Sequence, residues 1–189
     1  MTRSLLAPAL LASALLAAAP AFAQQKVVPA QSEISFTSHQ MGVPVDGKFR
    51  TWDAQISFDP KKPEAGKVSF TIDTGSATFG VPETDAEVPK APWFNAAKFP
   101  KATFQSTAIK ATGKGQYAVS GQLTVKGASQ AVVVPVTLKQ TGATTLATGT
   151  FAIKRLDFKI GEGEWADTST VANNVEVHFK LAVTGVGAL

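Results

Sequence analysis

Cysteine is absent from all 189 residues. That excludes disulfides, thiol catalysis, cysteine-ligated zinc, iron–sulfur clusters, covalently attached haem and an acylated lipoprotein cysteine. Histidine occurs only at His39 and His178, which are not spaced as a metal pair. No acidic run forms a calcium loop. Gly-x-Ser-x-Gly, His-Glu-x-x-His and a phosphate-cradling glycine loop are missing too, so catalysis finds no motif. Gly113-Lys114-Gly115 reads as a hairpin turn. Charged residues make up 17% of the chain, and the formal net charge is +4, falling by one if Arg3 is cleaved away. The lysines are scattered, which predicts a solvated surface and no nucleic-acid footprint.

Long apolar runs are scarce as well. The one at the N-terminus follows Met1-Thr2-Arg3, spans Leu5 to Ala19 and ends in Ala21-Phe22-Ala23. A positive start, a short Leu/Ala-rich stretch and small residues before the cut are the marks of a secretory signal peptide. Cleavage is expected after Ala23, giving a mature domain of residues 24–189 in the periplasm. Pro8 and Pro20 interrupt the run, and no later segment reaches the roughly 20 apolar residues of a membrane span. Stable membrane insertion is therefore not expected.

What is abundant is strand pattern. Ile34 to Ser38 alternates apolar and polar, the mark of a half-buried strand. Gly47 to Phe58 is a longer strand in which Phe49 and Phe58 differ in parity, predicting a bulge or bend. Further strands are read at Lys67–Asp73, Ala102–Ile109, Gln116–Val125, Ala131–Gln140, Thr145–Ile153 and Asn174–Thr184. Pro135 marks an edge or bulge within its strand. A short helical connection is expected within residues 83–97. Eight strands with no linker or repeat predict one all-β domain, an antiparallel barrel or sandwich.

A barrel of about eight strands is just wide enough to be filled by side chains or to hold one small ligand. Its inward faces carry Phe36, Phe70, Phe104, Val119, Leu123, Val134, Val136, Phe151, Val177, Phe179 and Leu181. Twelve phenylalanines against the single tyrosine, Tyr117, make a face with almost no hydrogen-bonding capacity. Periodicity leaves two readings of that face open, a packed core and a lined tunnel.

Five local patterns, in order, resemble the YceI family of periplasmic lipid-binding proteins. They are His39 with Val45-Asp46-Gly47-Lys48-Phe49 and Ile56-Ser57-Phe58-Asp59-Pro60; Phe70-Thr71-Ile72-Asp73-Thr74 with Ser76; and Trp93-Phe94-Asn95 with Phe99-Pro100 and Ala102-Thr103-Phe104-Gln105-Ser106. The others are Tyr117 through Gly127, and Lys154-Arg155-Leu156-Asp157-Phe158 before the closing strand. The resemblance covers roughly residues 26–184. It implies an eight-stranded lipocalin-like barrel with a long tunnel for a polyisoprenoid or similar amphiphile, and no enzymatic activity. Under it the tunnel lining extends to Phe49, Ile72, Trp93, Phe94, Phe99 and Phe158. No cofactor is implied beyond the bound isoprenoid lipid or quinone, and the chain is expected to act as a monomer or homodimer. Three positions depart from the family pattern. Asp85-Ala86-Glu87-Val88 puts a carboxylate where a histidine is usual. Trp93-Phe94 replaces a double phenylalanine, and Lys159 stands where glycine is common.

Three residues are candidate head-group contacts. His39 follows the first strand; Arg155 and Asp157 lie in the connection after Ile153. The guanidinium can clamp an anionic head in two places, but the leading expectation for all three is a structural role, a hydrogen-bonded loop histidine for His39 and a salt link or backbone hydrogen bonds for Arg155 and Asp157. Trp93, Phe94 and Phe99 either plug one barrel end or gate the tunnel. An outer-membrane barrel shares the signal peptide and the alternation, yet the aromatic girdle of such barrels is missing. An isoprenoid-quinone-binding accessory of an electron-transfer or stress-response system is the alternative to a simple carrier.

Overall fold

The computed structural model describes residues 25–189; the expected signal peptide lies outside them. Eleven strands form one antiparallel sheet: β1 (Lys26–Val27), β2 (Glu33–Gln40), β3 (Val43–Phe49), β4 (Trp52–Ser57), β5 (Lys67–Asp73), β6 (Ala77–Thr78), β7 (Lys101–Gly113), β8 (Gln116–Val125), β9 (Ala128–Thr141), β10 (Thr144–Lys154) and β11 (Asn174–Thr184). The order is β4-β5-β7-β8-β9-β10-β11-β2-β3-β6, with β1 on β11. Eight strands were expected. The excess comes from the two-residue strands β1 and β6, and from a break that divides the long Gly47–Phe58 strand.

That break is the bend required by parity. β3 pairs with β2, Phe36 opposite Gly47, whereas β4 pairs with β5, Phe70 opposite Ala54. Arg50 and Thr51 turn the chain from one neighbour to the other, held to Ser76 by the Arg50 N–H to its carbonyl at 3.1 Å. The strand thus carries the sheet round on itself. On the far side β1 continues the row of β2 along β11. Gln25 then ties this row to β4: its amide both donates to the Phe58 carbonyl (2.5 Å) and accepts from the Phe58 N–H (2.9 Å).

Pro135 behaves as its missing N–H demands. Pairing of β9 with β10 stops at Thr137–Thr148, and Pro135 lies just beyond, paired only on the β8 side. β7 carries register shifts at Ser106/Ala108 and Ala111/Gly113, which help a sheet to curl. The expected helical connection is one short helix, α1 (Pro82–Glu87), followed by turns through Phe99.

Two buried cations lock loops onto the barrel end, Lys126 the connecting segment and Arg155 the segment between β10 and β11. Lys126 occupies the β8–β9 turn with φ +49° and is 6% exposed. Its ammonium donates to the carbonyls of Ala91 (2.8 Å) and Lys159 (2.7 Å) and to the Glu162 carboxylate (2.8 Å). This corrects the expectation that the lysines are uniformly solvated. Arg155, 2% exposed, gives all its N–H groups to backbone carbonyls of Ala172, Ile160, Gly161, Trp165 and Val171, at 2.7–3.1 Å. A buried charge is tolerated only when so paired.

Candidate functional site: an apolar lumen

The curled sheet surrounds a cavity of about 490 Å³. That lies within the roughly 300–1,000 Å³ range of ligand sites. Alternation supplies the wall: from β10 come Thr145, Ala147, Phe151 and Ile153, and from β11 come Val175, Val177, Phe179, Leu181 and Val183. Many of these side chains are only half-buried although they point inward, because they face the cavity rather than one another.

Three glycines hold aromatic rings against the wall. A Cβ on Gly47 would sit 2.4 Å from the Phe36 ring, one on Gly121 2.4 Å from Phe104, and one on Gly149 2.5 Å from Phe179. Each phenylalanine therefore lies flat over a glycine of the neighbouring strand. The rings cover bare backbone and stay out of the middle of the lumen.

The two ends differ. At the far end Phe58 and Tyr117 meet edge to face, centroids 5.0 Å apart. The C-terminal tail crosses nearby, with the Gln140 amide donating to the carbonyls of Val186 and Gly187 at 3.3 Å. Every lining residue there is buried or half-buried. At the other end the exposed lining residues are Gln40, Glu83 and Glu87, so this is the mouth. It opens between the β2–β3 hairpin and α1. Asp85 on the same helix turns the other way, accepting from the Thr78 hydroxyl and the Phe79 N–H at 2.6 Å each. The Thr78 bond is the main reason its carboxyl sits below the ordinary aspartate range. Asp85 thus fixes α1 while Glu83 and Glu87 face the opening.

Of the seventeen residues expected on a tunnel wall, fifteen line this cavity: Phe36, Phe49, Phe70, Ile72, Trp93, Phe94, Phe104, Val119, Leu123, Val134, Val136, Phe151, Val177, Phe179 and Leu181. Phe99 and Phe158 do not. Phe158 is 1% exposed and packs in the core behind the wall. Phe99 stands against Gly127 at the β8–β9 turn, and its carbonyl receives the Thr74 hydroxyl. Trp93 and Phe94 reach the lumen from the connecting segment, Trp93 tilted against Trp165 with centroids 5.4 Å apart and Phe94 edge to face with Phe49 at 5.9 Å.

The candidate head-group contacts do not gather. His39 alternates with the lining residues Ser38 and Gln40 and is not on the lumen; its backbone carbonyl accepts from Ala172. Asp157 is exposed and away from the cavity. Arg155 borders it, but its N–H groups are all engaged by carbonyls, leaving none for a ligand. The polar lining absent from the expected wall is Ser38, Gln40, Glu83, Thr84, Glu87 and Thr145. Thr145 was legible: it lies six residues from Phe151 on one strand and so shares its face. Among the described residues no group of three or more His, Asp or Glu could hold a metal, and no helix is long and apolar enough to cross a membrane.

A curled antiparallel sheet, one wall of phenylalanine and valine, one closed end and one acidic mouth define a lipocalin-like barrel. The chain belongs to the YceI-like domain family, which matches residues 25–183. A UPF0312 protein of Azotobacter vinelandii is 36% identical over 138 residues, covering 71% of this chain and 72% of that one. A UPF0312 protein of Pseudomonas fluorescens is 31% identical over 196 residues, covering 96% and 97%. Among solved structures, Burkholderia cenocepacia BcnA superposes with a TM-score of 0.81 and 43% identity, covering 83% of this chain and 99% of its own. A polyisoprenoid binding domain from Saccharophagus degradans shares the fold, with TM-score 0.70 at 17% identity, covering 85% of this chain and 98% of its own.

Proposed function

We propose that this protein is a periplasmic carrier that holds one long hydrophobic chain, a polyisoprenoid or similar amphiphile, inside the barrel. It binds its cargo and does not transform it. The observation that carries this reading is the cavity of about 490 Å³, walled by aromatic and branched aliphatic side chains and open at one end. Apolar surface removed from water stabilises a complex by about 25 cal/mol per Å², and a chain threaded down this lumen removes it from both partners. The related structure described as a polyisoprenoid binding domain supports the ligand class. Export is supported by the N-terminal segment, whose cleavage after Ala23 would leave Gln24 as the first residue, one before the Gln25 that bonds Phe58.

Filling the lumen tests the proposal. Leu123 and Val134 are 8% and 7% exposed and line the cavity from adjacent strands. Leu123→Trp and Val134→Phe are expected to stay folded by circular dichroism and to melt within a few degrees of delipidated wild type. They should co-purify with little or no long-chain lipid by mass spectrometry of a solvent extract. Delipidated protein is the reference because bound ligand raises the melting point by mass action. Variants that fold normally and carry the full lipid load would refute the lumen as the site.

A further inference from the structure

We infer that the closed end of the lumen is a polar subsite, built on Thr145, for a small uncharged head bearing a hydroxyl, carbonyl or amide. The inference rests on the proposed carrier function and adds the orientation and head chemistry of the ligand: head inward, tail toward the mouth.

Thr145 is 1% exposed and lies on the cavity wall. Its hydroxyl has no hydrogen-bond partner among the described residues, and no other buried side-chain atom among them shares that condition. A buried hydroxyl without a partner is costly, whereas valine has nearly the same shape and no such cost. Its neighbours Ala147, Leu181 and Val183 are apolar, and Gln140, opposite it on β9, spends its amide on the Val186 and Gly187 carbonyls and the Leu189 N–H, so nothing in the local packing engages the hydroxyl. Tyr117 brings a second hydroxyl to the same end, its ring fixed by Phe58.

Charge settles the class of head. The charged residues on the lining are Glu83, Glu87 and Arg155. The two glutamates stand at the mouth, and Arg155 is fully occupied by carbonyls. No cation is therefore left to receive a phosphate or carboxylate, at either end. The closed end has no charged lining residue at all, and an ionised head would be desolvated there without a partner. An uncharged oxygen- or nitrogen-bearing head meets the Thr145 hydroxyl as donor or acceptor.

The test uses delipidated mature protein and displacement of the fluorescent probe N-phenyl-1-naphthylamine by 1-dodecanol and by dodecane. Wild type is expected to prefer dodecanol over dodecane by a ratio that falls about tenfold in Thr145→Val. Dodecane affinity itself should be unchanged. Thr145→Ser should restore the ratio, and Tyr117→Phe should lower it by a smaller factor. The delipidated Thr145→Val protein should also melt higher than wild type. Thr84→Val, at the mouth, should leave the ratio unaltered. A ratio that is the same within twofold in wild type and Thr145→Val overturns the inference; that is the outcome if the hydroxyl only holds a trapped water. A ratio that responds to Thr84→Val and not to Thr145→Val overturns it in favour of a head at the mouth. Failure of both dodecane and dodecanol to displace the probe would instead overturn the carrier reading, and this inference with it.

Discussion

Gly47→Ala isolates the role of the phenylalanine–glycine pairs. Gly47 sits opposite Phe36 in the β2–β3 ladder, and its φ is not in the left-handed region, so alanine costs nothing in the backbone. The added methyl would lie 2.4 Å from the ring's Cζ. Unstrained carbons stand about 3.5 Å apart, so the ring must withdraw by roughly 1 Å. The three atoms nearest that methyl all belong to the Phe36 ring. The ring can move, because one side of it borders the lumen. At Gly121 and Gly149 the methyl would also meet a backbone carbonyl, Gln105 O at 2.5 Å and Pro135 O at 2.2 Å. Overpacking typically costs about 1–3 kcal/mol, and alanine recovers roughly 0.5–1 kcal/mol of chain entropy relative to glycine in a strand. Gly47→Ala should therefore lose about 1 kcal/mol or less in urea unfolding. Gly121→Ala and Gly149→Ala should lose about 3 kcal/mol or more, since strands must part. Lipid retained by Gly47→Ala, read by mass spectrometry of solvent extracts, should drop although the fold is intact. Equal stability losses at all three glycines, or full lipid retention by a stable Gly47→Ala, would refute the idea that these glycines keep the rings out of the lumen.

Lys126→Met should cost about 2–4 kcal/mol in urea unfolding, because the part-buried carbonyls of Ala91 and Lys159 lose their donor at roughly 1–3 kcal/mol each; a loss under about 0.5 kcal/mol would show that water replaces the ammonium. Phe179→Asp should abolish folding by placing an unpaired carboxylate on the wall, at a cost of several kcal/mol. His178→Ala should change the midpoint by less than about 1 kcal/mol, since that ring lies outside, bonded to Thr37 and Thr150; equal behaviour of the pair would invert the assigned strand faces. Asp85, Glu162 and Asp167 are each held below their ordinary values, chiefly by the Thr78 hydroxyl, the Lys126 ammonium and the Ser169 N–H respectively. An acid depressed in the fold stabilises it above its ordinary pKa, and that gain is lost as pH falls through the lowered value. Melting temperature should accordingly be level from pH 7 to pH 5 and decline from about pH 4 downward, with a shallower decline in Asp85→Asn.

The wall was readable because period-2 alternation needs no tertiary information: once Phe151 or Phe179 is placed inward, its strand's whole face follows. The bend at Arg50–Thr51 followed from the parity of Phe49 and Phe58. Phe99 and Phe158 were misplaced because they lie in turns, where no period assigns a direction. Phe158 belongs to a 3-10 turn, Arg155–Phe158, that folds behind the wall. β1 and β6 are two residues long, too short for any pattern. The backbone-bonded reading of Arg155 holds, whereas Lys126 reads from sequence as a surface charge, because its burial depends on carbonyls from segments distant in sequence, such as Ala91, 35 residues away.

Those two cations explain why the sequence's positive balance says nothing about an anionic ligand. Arg155 gathers carbonyls from residues 160 to 172, and Lys126 joins residues 91, 159 and 162. Both fix loops at the end of the barrel that bears the mouth. Trp93 and Trp165 pack at a tilt between these loops, and Gly161 is held there with φ +76°, where a Cβ would fall 2.3 Å from the Arg155 Nη1. The rigid part of this end is thus tied by backbone carbonyls to buried cations. The opening is bounded instead by the β2–β3 hairpin, whose tip residues Met41 and Val43 are 80% and 61% exposed, and by a six-residue helix. The helix buries no residue and is held through Asp85, and the hairpin is held at its base by Met41 N–H to the Thr170 carbonyl and Ala172 N–H to the His39 carbonyl; segments with little buried surface are where opening is least costly. Under the proposed carrier function, cargo would pass most easily between the hairpin and α1. The tryptophan side is braced against such movement.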